Sequence, residues 1–436
     1  MAFFHRAVKF KVKRKIIFGM RIDNSWFSEP KELKENVFNF FRNHFNCPSR
    51  RWGLDLALKF KRLKDAEVLS LGKSFSMEEI KEAVWSCDEN KAPGTDGFNL
   101  CFFRKCWEVV HEDLFEMMVN FFNFGKLEKS INSSFIALIP KNNNLRDIFD
   151  FRRISLLGFA KAYDCVRWDF LEQVLLKMGF GIRWTGWMME CVSSARVAVL
   201  VNGSTTKEFR MFRGLRQGDL LSPFLFILVT EVLHLLLGET ENLGVIEGFK
   251  EVIRGHSVSH LQFADDTILF LRADEDVVRN TKYILWCFET FSGLSINFRK
   301  SCLVGFDVEK EFMFRMAAIC KCKIEALPFM YLGIPLGADP KKISTWNGIV
   351  EKVERKLAGW KCRSLSWAGR VICINIVLSS LPIYYMSIFQ APIAVIKKID
   401  KSRRNFLWGG VGGQRRMVKV NWNLICLPKA KGEREW

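Results

Sequence analysis

Apolar and polar positions alternate along His260-Leu-Gln-Phe-Ala-Asp-Asp-Thr-Ile-Leu-Phe-Leu271, where two apolar runs flank an adjacent pair of aspartates. The pattern predicts a β-hairpin with Asp265 and Asp266 at its tip, both carboxylates presented at one end of a sheet. A helical period replaces the alternation elsewhere. Between Pro30 and Phe45 the positions Val37, Phe38, Phe40, Phe41 and Phe45 form an apolar stripe, and Phe170, Leu171, Val174, Leu175 and Met178 form another that Gly179 closes. Ser76-Met-Glu-Glu79 is a capping box that opens a helix through Val84 and Trp85, and the turns in Lys91-Ala-Pro-Gly-Thr-Asp-Gly97 break it. Further helices are expected over Phe102 to Phe124 and Val277 to Phe291, with a helix-rich stretch from Trp346 to Phe389. A buried strand is expected over Phe135 to Pro140, and Val197 to Val201, Asn202-Gly203 and Phe209 to Phe212 should make a hairpin. Strands and helices interleave and several strands are joined by hairpins, so the expected class is α+β with an antiparallel sheet at its centre.

Composition narrows the partner. The 436 residues are 49% hydrophobic, enough for a large core in two or three subdomains, and 66 Lys and Arg against 47 Asp and Glu leave a net charge of +19. That balance favours a polyanion such as nucleic acid over a small neutral substrate. A membrane is not expected as a partner, because the longest apolar stretch, Leu221 to Leu237, is interrupted by Thr230, Glu231 and His234. The N-terminus alternates Lys9, Lys11, Lys13 and Lys15 with apolar residues and lacks the apolar run of a signal peptide. Thirteen scattered cysteines without a CxxC pair fit free thiols in a reducing intracellular compartment, nuclear or cytoplasmic, better than a disulfide framework. Cys320-Lys-Cys322, the closest pair, is too short in spacing for a zinc knuckle and reads as core or surface thiols.

Adjacent carboxylates repel unless a cation neutralises them, so Asp265-Asp266 is a candidate divalent-metal site; an ordinary solvated turn is the alternative. The segments around it decide between the two. Lys91-Ala-Pro-Gly-Thr-Asp-Gly97 is similar to KAPGPDG, and Phe151-Arg-Arg-Ile-Ser-Leu156 to FRPISL with Arg153 in place of Pro. Phe159-Ala-Lys-Ala-Tyr-Asp164 matches the end of DFEKAYD, and Gly214-Leu-Arg-Gln-Gly-Asp-Leu-Leu-Ser-Pro223 matches GLRQGDPLSP with Leu220 for Pro. Phe263-Ala-Asp-Asp266, Gly293-Leu-Ser-Ile-Asn297 with Lys300, and Tyr331-Leu-Gly-Ile-Pro335 follow in order. Together these segments resemble the reverse transcriptase of plant non-LTR (LINE-type) retrotransposons over nearly the whole chain.

The resemblance implies a fingers–palm–thumb right hand with a central antiparallel palm sheet and a helical thumb. The expected organisation is a basic segment at 1–75, a fingers remnant at 76–157, a palm at 158–338, and a thumb with truncated connection at 339–436. It implies RNA-directed DNA polymerisation on an RNA template and DNA primer with deoxynucleoside triphosphates, using Mg²⁺ or Mn²⁺ weakly bound at Asp265 and Asp266. Arg152 would hold triphosphate oxygens and Tyr163 would exclude a ribose 2′-hydroxyl. Gln217 and Gly218 would approach nucleotide and template, Lys300 would contact phosphate or donate a proton, and Tyr331, Leu332 and Gly333 would form the primer grip. The basic segments Lys397 to Arg404 and Arg415 to Lys419, interleaved with Phe406 and Trp408, suit a groove tracking a nucleic-acid backbone or, equally, a solvated helix face with core anchors.

One residue breaks the pattern. The family's first palm motif begins with a metal-binding aspartate directly before the Phe, and here that position is Gly158. The several dozen residues that ordinarily separate FRPISL from this motif are missing too, since Leu157-Gly158 runs straight into Phe159. Asp164, six positions on, lies up to about 20 Å away along a strand and about 9 Å along a helix, neither compatible with a metal–oxygen bond of about 2.1 Å at the lost position. Ile154 to Leu157 is expected to slide into the palm as the missing strand, giving up the fingers placement of Arg152. Both ends read as cut relative to family members, which often carry an upstream endonuclease and a downstream Cys/His-rich or RNase H region. Three readings follow: a polymerase core strongly impaired in catalysis, a noncatalytic basic nucleic-acid-binding protein, or an active enzyme whose exon was skipped in the gene model at Gly158.

Overall fold

The computed structural model describes residues 16–46, 58–89, 97–128, 131–140, 147–148, 151–152, 159–160, 162–253, 256–264, 266–298, 300–359, 366–375 and 380–408. The chain separates into two compact units. One comprises Met1–Leu303 with Asp307–Lys323, and the other Val304–Phe306 with Ile324–Trp436.

The first unit opens with the hairpin β1 (Met20–Ile22) and β2 (Ser25–Phe27), followed by α1 (Pro30–His44). Glu29 caps α1, its carboxylate accepting from the backbone N–H of Lys31 and Glu32 at 2.9 Å, and Pro30 occupies the first turn where no N–H is needed. The apolar stripe behaves as its spacing predicts: Leu33, Val37 and Phe41 are buried, with Phe38 and Phe40 packed at the edge of the same cluster. After α2 (Asp65–Leu71), the Ser76 capping box opens α3 (Met77–Ser86). The predicted helix over Phe102 to Phe124 is two helices, α4 (Leu100–Lys105) and α5 (Trp107–Phe124), parted at Cys106.

The strand expected over Phe135 to Pro140 is two, β3 (Ser133–Ala137) and β4 (Ile139–Pro140), and β3 is not buried as expected, since Phe135 and Ala137 are exposed. β4 pairs antiparallel with β5 (Phe151–Arg152), Ile139 opposite Arg152, while β6 (Phe159–Ala160) leads into the single turn α6 (Ala162–Cys165). Then come α7 (Trp168–Lys177), α8 (Ile182–Ser193), β7 (Arg196–Val201), β8 (Ser204–Thr205) and β9 (Phe209–Arg210). The Asn202-Gly203 turn forms as expected, both residues at positive φ, but the strand that returns directly from it is β8, and of the expected Phe209 to Phe212 only β9 pairs with β7, at Val197 and Arg196. The Asn202 side chain also clasps the start of the described chain, accepting from Ile17 N–H at 2.8 Å and donating to Ile17 C=O at 2.9 Å.

The long helix α9 (Ser222–Asn242) buries Leu225, Phe226, Val229, Val232, Leu233 and Leu237 against α7 and its neighbours. By length and composition α9 is apolar enough to cross a membrane, and it is the only such helix among the described residues. β10 (Phe249–Ile253), β11 (His256–Val258), β12 (His260–Phe263), β13 (Asp266–Leu269), α10 (Glu275–Ser292), β14 (Ser295–Ile296), β15 (Cys302–Leu303), α11 (Lys310–Cys320) and β16 (Lys323–Ile324) complete the run to the unit boundary.

The central antiparallel palm sheet needs correction. Among the described residues the largest sheet has four strands, β3, β7, β8 and β9, and its β3–β7 pair is parallel; the remaining ladders are two-stranded, including the acidic hairpin β12–β13. β6 pairs with β14, Phe159 opposite Ile296 and Ala160 opposite Ser295. Among the described residues β6 offers two positions before α6 begins, fewer than a central strand ordinarily has. The proposed slide of Ile154 to Leu157, and Gly158 itself, fall outside the described residues.

In the second unit, β17 (Phe329–Tyr331) and β18 (Ile334–Leu336) form a hairpin with Leu332 and Gly333 in its turn, followed by α12 (Asn347–Gly359), α13 (Trp367–Cys373), α14 (Ser380–Met386) and α15 (Ile393–Leu407). Trp346 is fully buried among Ile334, Ile349, Val350, Tyr385 and Val395, its indole N–H donating to Pro340 C=O at 2.8 Å.

Candidate functional site

The acidic hairpin forms, with a shift at its tip. Phe263 faces Asp266 in register, so Asp266 already opens the returning strand. Ala264 takes φ +53°, the left-handed turn conformation, which a small side chain tolerates better than a branched one. Asp265 lies outside the described residues. Asp266 is partly buried, and that desolvation raises its pKa above the ordinary carboxylate value. The hairpin is tied to α9 at two points: Gln262 Nε2 lies 3.5 Å from Thr230 C=O, and His260 Nε2 lies 2.6 Å from His234 Nδ1.

Two predicted residues, Gln217 and Gly218, line a cavity of about 410 Å³ together with Phe135, Asp164, Arg216 and Asp219 among others. Two hydrogen bonds fasten α6 to the Gly214–Asp219 loop: Gly214 N–H donates to Val166 C=O at 2.7 Å and Leu215 N–H to Tyr163 C=O at 2.6 Å. The approach is close because residue 214 has no side chain. A Cβ there would sit 2.6 Å from the Asp164 carbonyl oxygen, and φ is +88°. Trp168 reinforces the junction, donating from its indole N–H to Gly214 C=O at 2.8 Å.

This docking sets Asp164 deep in the cavity wall, 5% exposed, with His44 Nε2 3.9 Å from Oδ2 and Gln217 Nε2 3.5 Å from Oδ1. The Gln217 amide oxygen is buried without a hydrogen-bond partner among the described residues. Arg216 is held by Asp219 at 2.9 Å, and Gly218, at φ +85°, has open space where a Cβ would stand. Tyr163 stacks on Phe226 of α9 with ring centroids 4.7 Å apart and a 21° interplanar angle, so its ring belongs in part to the core.

The other predicted residues are more scattered. Arg152 is in β5, opposite Ile139. Lys300 is exposed in the turn after β14, its N–H donating to Asn297 C=O at 2.9 Å, and it does not line the cavity. Tyr331, Leu332 and Gly333 form the tip of the β17–β18 hairpin, where Leu332 at φ +48° and Gly333 at φ +80° make the two-residue turn. In the basic helix α15, Ile399, Phe406 and Leu407 are buried, so Phe406 is a core anchor; Arg415 to Lys419 lies outside the described residues.

His44 is the member that sequence reading missed. It ends the stripe helix α1, 120 positions before Asp164, and nothing in its local pattern signals the meeting. Among the described residues, which do not include Asp265, no three His, Cys, Asp or Glu side chains cluster so as to hold a metal ion. Asp164 is directed toward His44 and Gln217, and Gly158 has no side-chain oxygen to offer.

A right-hand polymerase is the class that the ordered motifs and the acidic hairpin suggest, and the match to known proteins is specific. A family model described as reverse transcriptase (RNA-dependent DNA polymerase) matches residues 115–336, and the chain belongs to that family. It is 25% identical over 488 residues to the "Transposon TX1 uncharacterized 149 kDa protein" of Xenopus laevis, covering 94% of this chain and 36% of that protein. A "Retrovirus-related Pol polyprotein from type-1 retrotransposable element R2" of Popillia japonica is 31% identical over 147 residues, 33% of this chain and 20% of the relative. A putative ribonuclease H protein of Arabidopsis thaliana is 35% identical over 88 residues, 20% of this chain and 14% of the relative. The chain thus spans 36% or less of the length of each of these three relatives.

Proposed function

We propose that the chain is the polymerase core of a LINE-type, non-LTR retrotransposon reverse transcriptase of the plant kind, keeping its substrate-binding surfaces while strongly impaired in nucleotidyl transfer. The observation that carries this reading is an acidic hairpin of the family's form inside the matched region, with Gly158 where the first palm aspartate belongs. In this reading Asp265 and Asp266 are the remaining metal ligands for Mg²⁺ or Mn²⁺, which would supply Lewis-acid activation of the primer hydroxyl and charge neutralisation at the triphosphate. With one carboxylate missing, turnover falls by several orders of magnitude.

The chain's own residues retain binding roles. The buried, unpartnered amide oxygen of Gln217 at the cavity wall suits a donor on an incoming base or sugar, and the open side of Gly218 allows close approach of the template. Tyr163, braced by Phe226, has the rigidity required of a group that rejects a 2′-hydroxyl. Arg152 and Lys300 are assigned to phosphate, and the Leu332-Gly333 tip with Tyr331 to the primer strand. A net charge of +19 supports retention of an RNA template and DNA primer.

The test is primer extension on an RNA template with Mg²⁺ or Mn²⁺, beside salt-dependent binding of an RNA–DNA hybrid. Binding without incorporation is the expected result. Templated synthesis abolished by Asp265→Ala would overturn the impairment and favour the active enzyme with a skipped exon, which sequencing of the transcript across Leu157 to Phe159 would reveal.

A further inference from the structure

The Cys320-Lys321-Cys322 pair and Cys302, 18 positions before Cys320, gather at the C-terminal end of α11. Cys320 is the last residue of the helix, Lys321 caps it in the left-handed conformation at φ +54°, and Cys322 turns back so that its N–H donates to Ala317 C=O at 3.1 Å. That reversal sets the side chains of Cys320 and Cys322 close enough to shift each other's titration. Two residues apart in an extended chain, their Cα atoms would be separated by about 7 Å, and the left-handed residue between them shortens the span into the 4.4–6.8 Å window, roughly, that a disulfide accepts. The next residue, Lys323, donates to Ser301 C=O at 3.1 Å, which sets Cys302 beside the pair.

A cation completes the arrangement. Lys282 of α10 donates from Nζ to Ile319 C=O at 2.6 Å, fixing its ammonium one residue from Cys320. The Cys322 thiol donating to it, together with the Lys282 charge, holds the Cys320 thiol below the ordinary range, whereas burial raises Cys191 to about 11. The two thiols divide their roles by the same contact, since Cys322 is shifted upward as the hydrogen-bond donor. Neither thiol is fully buried, so a small reagent has access.

We propose that Cys320 and Cys322 form a thiol–disulfide exchange site, with Cys320 the attacking thiolate and Cys322 the resolving thiol, for soluble disulfides of the glutathione type. The Cys320 thiolate attacks one sulfur of the disulfide, forming a mixed disulfide and releasing one small-molecule thiolate. Cys322 then loses its proton to solvent and attacks the Cys320 sulfur, closing the Cys320–Cys322 bond and releasing the second thiolate. Two protein thiols are oxidised and one small-molecule disulfide is reduced. The site is independent of the polymerase reading, because no residue in it belongs to the cavity or the acidic hairpin.

The reduced full-length chain is treated with limiting iodoacetamide at pH 7 and the cysteines are compared by peptide mass mapping. Cys320 is expected to react about fivefold faster than the half-buried Cys287, a larger thiolate fraction being partly offset by lower intrinsic nucleophilicity. With oxidised glutathione, the expected product is a disulfide-linked peptide pair, because tryptic cleavage after Lys321 separates the two cysteines. In Cys322→Ser the reaction should stop at the glutathione adduct on Cys320. Equal alkylation of Cys320 and Cys287, or an adduct that accumulates on Cys302 with none on Cys320, would overturn the assignment.

Discussion

Replacing Gly214 with alanine probes the joint between α6 and the loop that carries Gln217, and Gly218→Ala supplies its control. Both glycines have strongly positive φ, +88° and +85°, so each alanine incurs the left-handed penalty of about 1–2 kcal/mol. Only at position 214 does the new Cβ collide with backbone, 2.6 Å from Asp164 O and 2.9 Å from Asp164 C; at 218 nothing lies within 4 Å. Relief of that collision requires α6 and the loop to separate, loosening the bonds from Gly214 N–H to Val166 and from Leu215 N–H to Tyr163, each worth about 1 kcal/mol. Gly214→Ala should therefore cost about 3–4 kcal/mol and Gly218→Ala about 1–2 kcal/mol. In a domain of this size the difference corresponds to a Tm roughly 4 °C lower for the first variant than for the second, readable by circular dichroism or scanning calorimetry. Equal shifts in the two variants would refute the claim that close backbone approach, and not glycine's conformational freedom alone, fixes residue 214.

Titration and packing give three more expectations. Asp266 has a raised pKa from desolvation, so its ionisation in the folded state opposes folding; stability from the neutral form is present below the unfolded carboxylate range and is lost as pH rises through the folded value. Asp266→Asn should thus raise Tm at pH 7, with the gain shrinking as pH falls toward 4, and a loss of stability at pH 7 would contradict it. For His260 the pKa is lowered, by burial first and by His234 second, so its contribution is complete above the unfolded imidazole value near 6.5 and declines as pH falls toward the folded value. The parent chain should lose more stability between pH 8 and pH 5.5 than His260→Gln, and parallel melting curves would count against the His234–His260 contact. Trp346→Ala empties a fully buried site and removes the indole bond to Pro340, which should cost about 3–5 kcal/mol in the second unit, measured as loss of amide protection over Ile334 to Leu357.

Local chemistry was legible in the sequence where neighbours along the chain decide the outcome. Ser76 and Glu79 form the reciprocal cap that their spacing announces, at 3.2 Å and 2.9 Å, and the period-two run at His260 becomes a ladder. Partner and direction were not legible, because alternation marks a strand without naming what lies beside it. The parallel pairing of β3 with β7 and the short β6–β14 contact came from tertiary packing. The helical period ran unbroken across Cys106, so the break between α4 and α5 left no trace in the pattern. Within the candidate site, the meeting of Asp164 with Gln217 and Gly218 at one cavity and the arrival of His44 from a helix 120 positions earlier both depend on the path of the chain between them.

The ladder between β6 and β14 has two rungs, yet it joins Ala160 to Ser295 across 135 residues. Closing so long a loop costs about 4 kcal/mol in chain entropy, more than two such rungs return by themselves. The clasp must therefore be the last part of the first unit to zip, formed once the helices between its ends have condensed, and the first to open when they loosen.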